Sequence, residues 1–269
     1  MHTREEKLAA FGRLMDVLDR LRTECPWDRK QTNQSLRTNT IEEVYELSDA
    51  IIDSDTHNIS KELGDVLMHV LFYARIGSET GDFDIADVCN AEAEKLIFRH
   101  PHIYPPKTEE KETASPTATT AEQVLHNWEQ IKLREKDGNH SVLAGVPKSL
   151  PSLIKAYRIQ DKVGNYGFDW QHRDEVWAKV HEEIDELRAA LNKEDTPHAQ
   201  EEFGDVLFSL INAARHYHIN PDNALETTNK KFIYRFNYIE QKAHQQGRNL
   251  NEMTLEEMDA LWTEVKQKE

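Results

Sequence analysis

The chain is short of the residues that interrupt helices. It has ten glycines and nine prolines in 269 residues, where average usage runs at about 7% and 5%. It also lacks any convincing run of alternating apolar and polar residues, which removes the strand signal and leaves an all-α fold as the expectation. Cysteine is nearly absent. Cys25 and Cys89 form no disulfide framework and match no zinc spacing, which fits a reducing, cytoplasmic setting. No 18-residue apolar run occurs, and the N-terminal MHTREEKLAAFGRL has no signal-peptide apolar core, so neither a membrane span nor a leader is expected. Positive charge is in deficit. Thirty-three Lys and Arg against 49 Asp and Glu give a formal charge of −16, and such a chain repels nucleic acid and anionic membranes. A small polyanionic substrate stays admissible where metal cations mediate.

What the chain does have is a repeat. At an offset of 140 residues, Glu42, Glu43, Glu46, Glu62, Gly64 and Asp65 match Glu182, Glu183, Glu186, Glu202, Gly204 and Asp205. Further along, KLIFR (95–99) resembles KFIYR (231–235), and WEQIK (128–132) resembles WTEVK (262–266). The order holds while loop lengths drift, as expected for two copies of one helical domain. The expected division is 1–138 and 139–269, with the Pro-, Thr- and charge-rich stretch 105–120 as an exposed linker inside the first copy. Leu63, Val66, Leu67, Val70, Leu71 and Ala74 keep helical spacing for three turns, and Phe203, Val206, Leu207, Leu210, Ile211 and Ala214 repeat it.

The acids fall on defined helix faces. With about 100° per residue, Glu43 and Glu46 share one side of their helix, and so do Glu62 and Asp65. Taking Val44 as zero, Leu47 and Ile51 lie within about 60°, while Glu43 and Glu46 sit at about −100° and −160°. Leu63, Glu62 and Asp65 repeat these angles. If the two apolar stripes pack antiparallel, four acids converge at the edge of the core. Connections of about ten residues, roughly 52–60 and 192–200, suit such a hairpin. Gly64 and Gly204 each cost about 1 kcal/mol inside a helix, which suggests close backbone approach. Four converging carboxylates repel one another, and a hard divalent cation such as Mg²⁺, which takes oxygen ligands and bridges to phosphates, would make the arrangement tolerable.

Other residues offer complementary chemistry. Lys231 and Arg235 are one helical turn apart, as are Trp262 and Lys266. Cations suit a triphosphate and a flat ring suits a base, although the same spacings also serve ordinary helix pairing and core packing. Asp28 and Asp169 fit helix caps or substrate contacts, with capping favoured. His100 and His102 lack partners at ligand spacing, and His181 has no counterpart in the first copy. A di-iron helix bundle would need Glu-x-x-His pairs, whereas here the second member is Glu or Asp. A non-enzymatic nucleotide-binding module would not demand all four acids.

The pattern EExxE, 15 residues, then ExxD resembles the hallmark of the MazG family of nucleoside triphosphate pyrophosphohydrolases. The resemblance extends to CPWDRKQT (25–32), RHPHIY (99–104), GFDW (167–170) and WTEVKQKE (262–269), and so covers nearly the whole chain in the two-domain form. It implies an all-α homodimer that hydrolyses NTPs and dNTPs to the monophosphate and pyrophosphate with Mg²⁺, Mn²⁺ being a possible substitute, in a house-cleaning role. It places metal ligands and catalysis on Glu183, Glu186, Glu202 and Asp205, with first-copy equivalents Glu43, Glu46, Glu62 and Asp65. It places nucleotide contacts on Lys179, Glu201, Lys231, Arg235, Trp262 and Lys266. Where relatives can carry a lysine just before EExGD, this chain has His198, a departure expected to weaken a phosphate contact. Lys179 is matched by Asn39, so the second copy is expected to carry most of the hydrolysis.

Overall fold

The structure, a computed structural model, describes residues 1–105, 120, 123–124, 127–128, 131 and 141–268. Apart from its two ends, the expected linker at 105–120 lies outside the described residues, as does the expected boundary at 138/139. The chain divides into two compact units, Met1–Ile131 and Lys132–Glu269. Among the described residues all regular structure is helical, as the absence of strand patterning implied.

The first unit contains α1 (Arg4–Glu24), α2 (Asn33–Ile52), α3 (Thr56–Thr80) and α4 (Ile85–Arg99). The second contains α5 (Ser152–Gly164), α6 (Arg173–Asn192), α7 (Thr196–His216), α8 (Pro221–Gln245) and α9 (Leu255–Lys266). Several starts are written in the sequence. Thr3 and Glu6, Asp84 and Asp87, and Thr254 and Glu257 form reciprocal capping boxes, each satisfying two backbone N–H groups that the first turn leaves without partners.

In each unit an antiparallel hairpin, α2–α3 or α6–α7, forms the most extensive helix pairing. The turns are tighter than expected. Only Asp53–Asp55 and Lys193–Asp195 lie between the helices. Ser54 and Glu194 take left-handed backbone, with φ of 55° and 56°. Asp55 then caps α3 through the N–H groups of His57 and Asn58, and Asp195 caps α7 through that of His198. The polar residues 56–60 and 196–200 had looked like loop, yet a capped, solvent-facing first turn needs no apolar periodicity.

The hairpin faces also differ from expectation. The acid-bearing faces, with the buried alanines Ala50, Ala190 and Ala199, occupy the seam, and Glu62, Glu183 and Glu202 are buried there. The apolar stripe is split: Leu71, Ala74 and Ile211 are buried, while most of the rest turns outward. Val44, Ile51, Leu63, Leu67 and Val70 are exposed in the first unit, and Leu191, Phe203, Leu207 and Leu210 in the second. Periodicity says that a stripe wants covering but does not name the surface that covers it. Gly64 and Gly204 correct a further expectation, since a side chain at either would meet nothing within 4 Å and no close approach among the described residues calls for glycine. The remaining cores are small, with Leu18, Leu36, Leu71 and Phe72 in the first unit and Val176, Val180 and Ala213 in the second.

Candidate functional site

The hairpin seam brings three carboxylates together in each unit. Oxygens of Glu183, Glu186 and Glu202 lie within 4.8 Å of one another, and so do those of Glu43, Glu46 and Glu62. Two members of the second trio, Glu183 and Glu202, are buried while Glu186 is exposed. Desolvation first, and then the charges of Glu202, Glu183 and Glu182, push the Glu186 carboxyl above its ordinary range. Glu43 is raised likewise, by desolvation and then by Asp65, Glu46, Glu62 and Glu42. In the first unit Glu62 Oε2 is buried with no hydrogen-bond partner. Crowded oxygen donors, partly desolvated and in one case unsatisfied, fit a hard divalent cation.

The aspartates of the ExxD pairs stand outside these trios. Asp205 is exposed but lines a cavity of about 580 Å³ with Glu183 and Lys179. Lys179 Nζ donates to Glu183 at 2.8 Å and to Glu182 at 3.1 Å, and these bonds raise its pKa, so it is a cation at any working pH. His198 Nε2 lies 3.4 Å from Glu202 and its Nδ1 4.0 Å from the exposed Glu201. The first unit, with Asn39 in place of Lys179, draws its cation from another position. Lys61 Nζ donates to Glu62 at 2.8 Å.

The other sequence-predicted residues collect elsewhere in the second unit. The Arg235 guanidinium lies 5.3 Å over the Trp262 ring, joining α8 to α9, and Phe232 packs on the same ring. Lys231 and Lys266 are exposed. None of Lys231, Arg235, Trp262 and Lys266 lines the cavity. The first unit repeats this pairing, with Arg99 5.5 Å over Trp128, so the likeness of KLIFR to KFIYR extends to a shared contact.

The capping reading of Asp28 and Asp169 is corrected. Asp28 opens a single 3₁₀ turn whose cap is Trp27. Asp169 pairs with Arg215, lies 2.8 Å from His216 Nε2 and accepts from the Trp170 N–H, while α6 is capped by His172. Charge-assisted bonds to Arg215 and His216 engage the Asp169 carboxylate in place of a helix cap. His100 Nδ1 bonds to the Leu96 carbonyl, and neither it nor His102 joins a group of three metal-donor side chains among the described residues.

The sequence reading did not single out Gln160, Phe208, Ser209, Asn212 and Arg215, which complete the cavity with Phe168, Asp169 and Trp170. A signal was available. In the 140-residue register, His69, Phe72 and Tyr73 of α3 correspond to Ser209, Asn212 and Ala213 of α7, large residues replaced by smaller ones.

A helical hairpin that crowds acids beside a roomy cavity and a fixed cation marks an all-α protein with a candidate metal-dependent site. The family model described as "MazG nucleotide pyrophosphohydrolase domain" matches twice, at residues 31–104 and 171–239. The chain is 39% identical over 266 residues to the nucleoside triphosphate pyrophosphohydrolase of Escherichia coli K12, covering 96% of this chain and 98% of that protein. It is 38% identical over 259 residues to the nucleoside triphosphate pyrophosphohydrolase/pyrophosphatase MazG of Thermotoga maritima, covering 95% of each. It is also 44% identical over 272 residues to the uncharacterized protein YabN of Bacillus subtilis, of which it covers 54%. The chain belongs to the MazG family.

Proposed function

We propose that this protein hydrolyses nucleoside triphosphates and deoxynucleoside triphosphates with Mg²⁺, between the α- and β-phosphates, to the monophosphate and pyrophosphate, and that it serves nucleotide-pool house-cleaning. The observation that carries the reading is the convergence of Glu183, Glu186 and Glu202, with Glu183 and its partner Lys179 also lining a cavity large enough for a nucleotide. The names of the Escherichia coli and Thermotoga maritima relatives support the same activity.

Glu183, Glu186 and Glu202 would hold the metal, with Asp205 at the cavity side; Mn²⁺ suits the same donors. When bound, Mg²⁺ draws charge from the phosphate oxygens and acidifies a water. Glu186 is exposed while Glu183 is engaged by Lys179, so Glu186 is the better placed of the two to take a proton. One water oxygen bonds to the α-phosphorus, its proton passes to Glu186, and the bond to the β-bridging oxygen breaks. Lys179 pairs with the buried Glu183 and offsets its charge beside the metal position. Lys231, Arg235 and Lys266 are assigned to the departing pyrophosphate, and Trp262 and Glu201 to the nucleotide. The second unit carries most of the turnover.

The outward stripes of Leu63, Leu67 and Val70 and of Phe203, Leu207 and Leu210 support a homodimer in which a second copy covers them, since contiguous exposed apolar surface marks an interface. Cytoplasmic residence agrees with the free cysteines. No helix among the described residues is long and apolar enough to cross a membrane, and the strong negative charge disfavours nucleic acid. The decisive assay follows phosphorus-containing products. With Mg²⁺ present, pyrophosphate and the monophosphate should appear together; release of orthophosphate alone would refute attack at the α-phosphorus.

A further inference from the structure

The cavity beside the acids holds a buried amide whose hydrogen bonding is incomplete. Gln160, on α5, is 5% exposed. Its Nε2 donates to the carbonyl of Phe208 on α7 at 2.8 Å. A carbonyl oxygen only accepts, so this bond fixes which end of the amide is nitrogen. The other end, Oε1, is buried, lacks a partner and belongs to a side chain lining the cavity. A buried acceptor left without a partner costs about 1–3 kcal/mol, and such a group in a binding protein calls for a donor that arrives with the ligand. Asn212 lines the same cavity and is oriented in the opposite sense. Its Oδ1 accepts from Arg215 Nε at 3.1 Å and Nη2 at 2.9 Å. A guanidinium only donates, so the Asn212 nitrogen remains as a donor. Phe168, Trp170 and Phe208 supply aromatic surface to the same space, and Lys179, Glu183 and Asp205 supply charge.

We propose that this cavity is the nucleobase subsite of the second unit, with Gln160 Oε1 and the Asn212 amide nitrogen reading an N–H donor and an adjacent acceptor on the base. The proposal rests on the activity inferred above and names where its substrate is recognised. It assigns the base to the space between α5 and α7 and leaves Trp262, whose ring Arg235 and Phe232 already contact, to the rest of the nucleotide. The chemical class is a purine or pyrimidine with an intact hydrogen-bonding edge. The aromatic residues provide stacking area, and the amides reject a ring that cannot complete the pair, because a wrong ring leaves Gln160 Oε1 unsatisfied. The first unit closes the corresponding ground: Phe72, at the position of Asn212, is buried.

The test compares ATP and CTP with ribose 5-triphosphate, which has the same phosphates and no base. For the full chain with Mg²⁺, kcat/KM should favour the nucleotides. That preference should fall about tenfold or more in Gln160→Met, which removes the acceptor at similar volume. It should fall further in Asn212→Phe, which imports the residue of the first unit. A purely structural role would lower both substrates alike and leave the ratio where it was, and an unchanged ratio in both variants overturns the proposal. A second readout needs no turnover: calorimetric binding of AMP and CMP without metal, which Gln160→Met should weaken about tenfold. If the wild-type chain releases no pyrophosphate from any nucleotide, the proposed activity fails. Monophosphate binding that depends on Gln160 would then still support the subsite, and binding indifferent to Gln160 would overturn it.

Discussion

The two hairpins carry the same acids in the same register and surround them differently. In the second unit a cavity of about 580 Å³ reaches Glu183, Asp205 and Lys179. In the first, the positions that would face it are filled. Phe72 is buried in the core with Leu18, Leu36 and Leu71, and Tyr73 OH and His69 Nδ1 meet Thr40 Oγ1 at 2.6 Å and 3.1 Å. A pocket of about 200 Å³ in that unit lies around Arg75 and Asp19, and none of Glu43, Glu46, Glu62 and Asp65 lines it. The cation has moved as well, from Lys179 on the helix of the first acid pair to Lys61 on the helix of the second. Keeping a metal-type acid cluster is therefore separable from keeping room for a nucleotide beside it.

The sharpest way to break this comparison is to remove one acid from each unit. Glu186→Ala should lower kcat by about 10²–10⁴-fold, the span of a general base, while Glu46→Ala should leave steady-state hydrolysis within about threefold. Equal losses would make the units functionally alike. A second test concerns the outward stripes. Leu207→Glu places a charge on exposed apolar surface, and sedimentation should report a fall to the mass of one chain; a wild-type protein already monomeric would remove the homodimer. Third comes core packing. Phe72→Ala should cost about 3–5 kcal/mol in denaturant titration, as large-to-small core changes do. Asn212→Ala, at the cavity wall of the second unit, should cost about 1 kcal/mol, the scale of lost hydrogen bonds.

The smallest expected effect is one of pH. Glu186 and Glu43 have carboxyls raised above the ordinary value of 4.5. The metal-free native state thus binds protons that the unfolded chain has already released, and its stability falls as pH rises through the raised values. Without metal, the Tm of the wild type relative to Glu186→Gln should rise as pH drops from neutrality toward 5, a difference that cancels the opposing contribution of the buried His69, whose pKa desolvation lowers. Divalent-ion affinity should run the other way and strengthen as pH rises, because protons compete for the same oxygens. A metal affinity independent of pH across that window would contradict the crowding of these acids.

Much of the fold was legible because it is local. Helix spacing at Leu63–Ala74 and Phe203–Ala214 located the hairpin helices, and the repeated ExxE and ExxD spacing placed acids on one face of each. The likeness of KLIFR to KFIYR marked a contact that both units make. The two turns were overestimated because a capped polar first turn carries no apolar signature. Gln160 and Asn212 were invisible for another reason. Neither stands in a repeated motif, and their significance lies in an unfilled hydrogen bond and an open space that no residue pattern encodes.

By itself the sequence determined an all-helical duplication, the pairing of carboxylates at helical spacing and an excess of negative charge, since each follows from residue identity and a rise of about 1.5 Å per residue. Only the tertiary structure decided which face of each hairpin turned inward, so that acids took the seam while Leu63, Leu67, Leu207 and Leu210 stayed at the surface. It alone decided that one unit would be plugged by Phe72 while the other stayed open beside Asn212. Those outcomes depend on how side-chain volumes from distant segments add up across a shared space, and a linear pattern holds the volumes without the distances between them.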